Sequence, residues 1–160
     1  MPGLDSLLTR LLEQDVEFVV VGGYAAIAHG CTVLTQDIDI CLSLTEASLR
    51  RLLAAIGDLH PVHRMAPARP PFDESALSTR WKNLYLDTDW GQLDCLGEIS
   101  GIGSYERVLK ESGTIDLGNR ACRILTIDAL IRAKEALGRP KDREATIQLK
   151  AIRDRLGGEA

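Results

Sequence analysis

The sequence predicts an α+β fold, a small mixed sheet with flanking helices, and three observations lead to this prediction. A short apolar run, Val19-Val20-Val21, ends at the glycine pair Gly22-Gly23 and has the composition of a buried strand. Two later stretches carry strand-like residues on both sides of a turn, which is typical of a β-hairpin. Segments with apolar residues at helical spacing precede, separate and follow these strands, so helices are expected to pack against one sheet.

Helices and strands alternate in the first third of the chain. Leucines at positions 4, 7, 8, 11 and 12 recur at helical spacing, which predicts an amphipathic first helix. A second apolar stripe, at positions 49, 52, 53 and 56, predicts another helix of the same kind. The elements predicted here are a helix over 3–14, a strand over 17–21, an alanine-rich helix over 24–29, a strand over 37–42 and a helix over 45–56.

A loop, two hairpins and three helices are expected in the rest of the chain. Residues 66–80 contain three prolines and few large apolar residues, and a loop of this length suggests a functional role. The turns of the hairpins are expected at Asp87-Thr88-Asp89-Trp90 and at Gly118-Asn119. The predicted elements are strands over 83–86 and 91–96, a helix over 102–110, a hairpin over 114–125, and helices over 127–136 and 143–155 separated by Gly138-Arg139-Pro140.

Length and composition predict one ordinary globular domain over 1–160. Hydrophobic residues make up 45% of the chain and charged residues 26%, which excludes a disordered polypeptide. No apolar run approaches the roughly 20 residues of a membrane span, and the first twelve residues do not resemble a signal peptide, so we expect a cytoplasmic protein without a membrane partner. The four cysteines lack CxxC spacing, which favours buried free thiols over a zinc site.

Charge is distributed unevenly along the chain. Residues 1–100 carry 7 basic and 14 acidic side chains, whereas residues 101–160 carry 12 basic and 9 acidic ones. The basic part is suited to face phosphates while the acidic part holds a metal ion. A solvated helical surface explains most of these charges equally well.

Asp37 and Asp39 are the first candidates for a metal site. Residues i and i+2 of a strand point to the same face, so these two side chains project together while Ile38 and Ile40 face the core. Adjacent carboxylates repel each other unless a cation lies between them. Because carboxylate oxygens are hard ligands, the pair predicts a Mg²⁺ or Mn²⁺ site.

A third carboxylate is expected from a neighbouring strand, and Asp94 is the best candidate. It lies in the apolar run Leu93-Asp94-Cys95-Leu96, where an aspartate is costly to bury without a partner. Asp87 and Asp89 are weaker candidates because hairpin turns commonly use aspartate. A structural Ca²⁺ site fits less well, since the dense Asp/Asn loop of such sites is missing. A sequence-specific DNA binder fits least, since no recognition-helix motif is present.

The glycine pair predicts a phosphate contact. Gly22 and Gly23 precede a helix, where they can expose backbone N–H groups to an anion. A tight strand-to-helix turn explains the same residues, and the two explanations are compatible. Glycines beside paired aspartates together suggest a site for a metal-bound nucleoside triphosphate, and hence phosphoryl or nucleotidyl transfer.

The segment GGYAAIAHGCTVLTQDIDI resembles the nucleotidyltransferase superfamily of the DNA polymerase β type. It is most similar to minimal prokaryotic members such as the AbiEii-type abortive-infection toxins, which share the Gly-Gly pair, a short alanine-rich helix with His-Gly, and Thr-x-Asp-hydrophobic-Asp. Towards the C-terminus, Ile131-Arg132-Ala133-Lys134 and Gly138-Arg139-Pro140-Lys141-Asp142 resemble that group's lysine-containing helix and Arg-x-Lys-Asp element. The resemblance extends over about residues 17–145.

The resemblance implies a polymerase β-like fold and a Mg²⁺-dependent transfer of a nucleoside monophosphate from a nucleoside triphosphate. The acceptor would be a hydroxyl of RNA, protein or a small molecule, and a cognate antitoxin is the implied protein partner. Asp94 would help to activate the acceptor hydroxyl for in-line attack on the α-phosphate. The implied metal ligands are Asp37, Asp39 and Asp94, holding two ions, and the implied nucleotide contacts are Gly22, Gly23, Thr35, Lys134, Arg139 and Lys141.

One position departs from the resemblance. Relatives commonly carry an arginine two residues before the motif threonine, and this chain has Val33 there. Loss of that cation leaves the metal ligands intact but predicts altered substrate handling or weaker catalysis. The alternative interpretation is therefore a catalytically weakened module of the same fold that binds a nucleotide or a partner protein.

Overall fold

A mixed sheet of seven strands organises the chain. The computed structural model describes residues 3–158, and the sheet has the strand order β3-β4-β5-β2-β1-β9-β8, with β6 and β7 forming a separate two-stranded ribbon. The strands are β1 (Val19–Val21), β2 (Asp37–Cys41), β3 (Val62–His63), β4 (Asn83–Thr88), β5 (Gly91–Leu96), β6 (Glu98–Ile99), β7 (Gly103–Ser104), β8 (Ser112–Leu117) and β9 (Arg120–Leu125).

Six α-helices within residues 3–158 flank this sheet, so the prediction of an α+β fold with a mixed sheet is confirmed. Helix α1 packs against α3, and α2 contacts α5 and α6, which also contact each other. The helices are α1 (Leu4–Glu13), α2 (Gly22–Ala28), α3 (Glu46–Ile56), α4 (Tyr105–Lys110), α5 (Ile127–Leu137) and α6 (Arg143–Gly158). Residues 1, 2, 159 and 160 of the predicted domain lie outside the described part of the chain.

Several predicted element boundaries differ from the observed ones, and two of these differences arise from pairing between strands. The helix expected over 102–110 begins only at Tyr105, because Gly103 has φ +127° and pairs with Ile99 in the short ribbon. Strand β4 continues to Thr88, which pairs with Gly91. The first hairpin therefore has a two-residue turn, Asp89-Trp90, instead of the four-residue turn expected.

One buried apolar core extends from the first helix to the last. Ile38 and Ile40 of β2 are fully buried, as the alternation of the strand predicts. All four cysteines are free and buried, which agrees with the predicted thiols. Within residues 3–158, no helix combines the length and the hydropathy that crossing a membrane requires.

The register of the central strands positions the candidate site. Strand β1 runs antiparallel to β2 with Val21 opposite Asp39, so the glycine that follows β1 comes beside the second aspartate. Strand β5 runs parallel to β2 with Asp94 opposite Asp39. Residues that lie opposite each other in adjacent strands share a face of the sheet.

Candidate functional site

Three carboxylates converge at the middle of the sheet. Asp37 and Asp39 come from β2 and Asp94 comes from β5, and one oxygen of each lies within 4.8 Å of the others. Asp94 is buried, with a residual exposure of 9%. The two strands bring together the residues that the sequence predicts as metal ligands. A set of three carboxylate oxygens fits Mg²⁺ or Mn²⁺.

Burial and mutual repulsion disfavour the ionised forms of Asp39 and Asp94, and the nearby cations offset only part of this effect. Burial, together with the charges of Asp37 and Asp94, raises the pKa of Asp39 to about 7, and the charge of Lys134 opposes this shift. Burial also raises the pKa of Asp94, with a hydrogen bond from Arg64 working against it. A divalent cation at this point would stabilise the ionised carboxylates.

The backbone at Gly22 lies directly against the Asp39 side chain. It begins α2 with φ +69°, a backbone conformation that side-chain-bearing residues rarely adopt. A Cβ at this position would overlap Asp39 Oδ2. A glycine is therefore needed here both for the turn and for the close approach of the aspartate.

Gly22→Ala is expected to destabilise the protein by about 2 kcal/mol, because it combines a left-handed backbone penalty with displacement of the Asp39 side chain. Thermal unfolding monitored by circular dichroism measures the loss. Gly113→Ala is the matched control, since a Cβ there would meet nothing within 4 Å. A Gly22→Ala protein as stable as the control would contradict the close packing of Gly22 against Asp39.

Thr35 and Gly23 support the first aspartate. Thr35 Oγ1 lies 3.0 Å from the carbonyl oxygen of Asp37 and 3.1 Å from its Oδ1, so the hydroxyl orients this residue. A Cβ on Gly23 would come within 3.2 Å of Thr35 Oγ1. Gly23 and Thr35, which the sequence predicts as nucleotide contacts, thus lie beside the start of β2, which carries Asp37 and Asp39.

The cations predicted to face phosphates occupy different environments. Lys134 is buried, with 7% exposure, and its Nζ lies 3.4 Å from Asp142 Oδ1. Arg139 Nε donates to Asp142 Oδ2 at 2.6 Å, and Lys141 is exposed. The interpretation as a solvated surface cation is therefore wrong for Lys134, whereas Lys141 does lie at the surface. The carboxylate of Asp142 pairs with both Lys134 and Arg139.

The carboxylate of Asp142 is charged in this arrangement. Burial acts to raise its pKa, but the hydrogen bond from Arg139 and the charges of Lys134 and Arg139 outweigh that effect and lower the pKa. An ionised Asp142 orients Lys134 at the wall of the cleft that also contains the three carboxylates.

One cleft of about 530 Å³ contains all nine candidate residues. This volume is within the range of roughly 300–1,000 Å³ that is typical of small-molecule sites. Val33 and Leu34 also line the cleft, and Leu34 is fully exposed. The candidate residues along its wall are Gly22, Gly23, Thr35, Asp37, Asp39, Asp94, Lys134, Arg139 and Lys141.

The sequence did not indicate Arg64, which directly contacts the cluster. Its Nη2 donates to Asp94 Oδ1 at 2.7 Å, and its Nη1 donates to the carbonyl oxygen of Leu86 at 3.1 Å. Arg64 follows the two-residue strand β3, thirty positions before Asp94, and no local pattern links the two. Sequence reasoning also missed residues that line the cleft at β4 and near β6: Asn83, Tyr85, Glu98 and Ser100.

The two weaker carboxylate candidates lie outside the cluster. Asp87 forms ion pairs with Arg69 and Arg64, and Asp89 is 2.6 Å from His60 Nδ1 in the hairpin turn. Both side chains already have cationic or hydrogen-bonding partners. Of the three aspartates in this hairpin, Asp94 is thus the one whose carboxylate lies with those of Asp37 and Asp39.

No protein-family model matches the chain, and no curated protein is significantly similar to it. Its function is therefore inferred from the side chains of the cleft.

Proposed function

We propose that this protein is a metal-dependent nucleotidyltransferase that moves a nucleoside monophosphate from a nucleoside triphosphate to a hydroxyl group. The observation that carries the proposal is the meeting of three carboxylates, a glycine turn and a buried lysine in one cleft. Carboxylates alone would suggest a cation site. Their position beside the first turn of α2 and beside cations adds the means to bind a triphosphate.

Asp37, Asp39 and Asp94 are the residues that would hold the divalent ions. When bound, such ions neutralise phosphate charge and make an acceptor hydroxyl easier to deprotonate. Thr35 keeps Asp37 oriented through its hydroxyl contacts. Because Gly22 has no side chain, Asp39 has room to point into the cluster.

The two substrates are assigned to opposite sides of the carboxylate cluster. Asp39 pairs in the sheet with Val21, next to the glycine turn, whereas Asp94 is one strand further away. The triphosphate is therefore assigned to the glycine side, where Lys134 lies, and the acceptor hydroxyl to the Asp94 side. RNA, protein and small hydroxylated molecules are all acceptors compatible with this arrangement.

The test is calorimetric titration with each of the four ribonucleoside triphosphates, with and without Mg²⁺. We expect Mg²⁺-dependent binding of at least one triphosphate, and its loss in Asp37→Ala. Transfer is then assayed with α-³²P-labelled triphosphate and total RNA or protein as acceptor. Well-folded protein that binds no triphosphate under either condition would overturn the proposal.

Asp94→Asn is expected to lower the rate of transfer by about 100-fold or more while triphosphate affinity changes less. The reason is that Asp94 lies on the acceptor side, whereas the glycine turn, Asp39 and Lys134 remain in place. Rates under saturating triphosphate, together with calorimetric affinities, separate the two effects. Transfer equal to that of the unaltered protein would show that the Asp94 carboxylate takes no part in the reaction.

A second candidate is a weakened module that binds a nucleotide or a partner protein. Val33 favours it, because this apolar side chain lines the cleft two positions before Thr35, where the resembling proteins carry a cation. The neighbouring Leu34 is an apolar side chain fully exposed at the same cleft. Such a module would bind Mg²⁺ and triphosphate in calorimetry without transferring label to any acceptor.

A further inference from the structure

Arg64 belongs to a row of side chains that crosses the candidate site. Asp39 lies opposite Asp94, and Asp94 lies opposite Tyr85 of β4. The row continues beyond β4, because the backbone N–H of Arg64 donates to the carbonyl oxygen of Tyr85 at 2.8 Å. Arg64 therefore stands two strands from the carboxylate cluster on the side opposite the glycine turn, and its long side chain reaches back over β4.

The guanidinium of Arg64 is held at several points. It donates to Asp94 Oδ1 at 2.7 Å and to the carbonyl oxygen of Leu86 at 3.1 Å, and its side chain is 19% exposed. Its Nη1 is also 3.7 Å from Asp87 Oδ1, a buried oxygen to which no residue among 3–158 donates a hydrogen bond. Several simultaneous contacts fix the direction of an arginine better than a single ion pair does.

The Asp94 carboxylate contacts Arg64 and also lies beside the other two carboxylates. The charge-assisted bond from Arg64 engages Oδ1, while one Asp94 oxygen also lies within 4.8 Å of the Asp37 and Asp39 oxygens. Arg64 therefore limits rotation of the carboxylate. Its charge also offsets part of the negative charge that would attract a free cation.

We propose that Arg64, bonded to Asp94, acts as a built-in counter-charge that weakens the affinity of the cluster for a free divalent ion. The inference rests on the proposed function, because it concerns the metal site of that function. Its consequence is that metal enters more readily together with the negatively charged triphosphate than alone.

The two possible roles of Arg64 differ in the sign of one measurable quantity. If Arg64 only stabilised the fold around Asp94, its removal would loosen the cluster and weaken cation binding. If Arg64 acts as a counter-charge, its removal strengthens cation binding, since one opposing positive charge is lost. A lysine at position 64 keeps the charge but cannot form the same fork of hydrogen bonds.

The experiment is the binding of Mn²⁺ alone, followed by electron paramagnetic resonance of the free ion in the unaltered protein and in three variants. We expect Arg64→Met to bind Mn²⁺ about tenfold more tightly, and Arg64→Lys to remain within about threefold of the unaltered protein. Arg69→Met is the matched control, because Arg69 pairs with Asp87 and its side chain is 56% exposed. The control is expected to leave the Mn²⁺ affinity unchanged.

Circular dichroism establishes that each variant is folded before its affinity is interpreted. Weaker or unchanged Mn²⁺ binding in folded Arg64→Met would overturn the inference while leaving the proposed function in place. If Arg64→Met does not fold, Arg64→Lys decides. An affinity within about threefold of that of the unaltered protein supports the counter-charge role, and any larger change overturns it. Folded Arg64→Met that binds no Mn²⁺ would overturn the inference alone, and absence of Mn²⁺ binding by every protein even with nucleoside triphosphate present would overturn the metal site and with it both proposals.

Discussion

Replacing Asp39 by asparagine is expected to lower the Mg²⁺-dependent affinity for nucleoside triphosphate by more than about 100-fold. Asp39 lies at the centre of the cluster, since it follows Asp37 on the same strand face and pairs with Asp94 on the next strand. An amide there is neutral and supplies a weaker ligand than a carboxylate. The same substitution keeps the volume of the side chain, so the packing against Gly22 is retained.

Calorimetric titration with triphosphate and Mg²⁺ measures this loss. Asp89→Asn is the matched control, because Asp89 is a turn carboxylate that pairs with His60 and lies outside the cluster. The control is expected to keep the affinity of the unaltered protein. Binding by Asp39→Asn that equals the control would show that the triphosphate does not use the carboxylate cluster.

The second large effect concerns the stability of the metal-free protein. The pKa of Asp39 is raised from its ordinary value of 3.8 to about 7 in the folded protein. Between about pH 4 and pH 7 the folded state therefore binds more protons than the unfolded state, and the free energy of unfolding falls as the pH rises. The contribution of Asp39 is complete above pH 7, where both states are ionised, and amounts to a penalty on the order of 4 kcal/mol.

Asp39→Asn removes this penalty and is expected to be more stable than the unaltered protein at pH 8, with little difference at pH 3.5. Denaturant unfolding in EDTA at a series of pH values measures the difference between the two proteins, so that titrations common to both largely cancel. Adding Mg²⁺ at pH 8 is expected to stabilise the unaltered protein more than the variant. A stability difference that did not change with pH would contradict the burial and crowding of the Asp39 carboxylate.

Most helices and strands could be predicted because their signals are local. The spacing of leucines in α1 and the β-branched run of β1 are consequences of which face of each element is buried, and both patterns are visible over a few residues. The helix expected over 102–110 was wrong at its start, where pairing of Gly103 with Ile99 overrides helical propensity. This pairing is a contact between two strands, and helical propensity, which depends only on the local residues, does not predict it.

The candidate residues could be proposed from the sequence for a related reason. Asp37 and Asp39 are separated by one residue, so the geometry of any strand places them on one face. The choice of Asp94 rested on the cost of burying an aspartate in an apolar run, and the structure places this residue beside the other two. Each of these inferences needed only the local environment of the residue.

Residues brought together across the sheet could not be predicted in this way. The sequence by itself determined the secondary structure of most of the chain and the residue types available for a metal and a phosphate, because side-chain periodicity and burial cost are properties of short segments. Only the tertiary structure decided that β5 lies parallel to β2, that Lys134 is buried against Asp142, and that Arg64 reaches Asp94. These contacts depend on strand order and register, which arise from packing of the whole sheet and leave no periodic trace in the sequence.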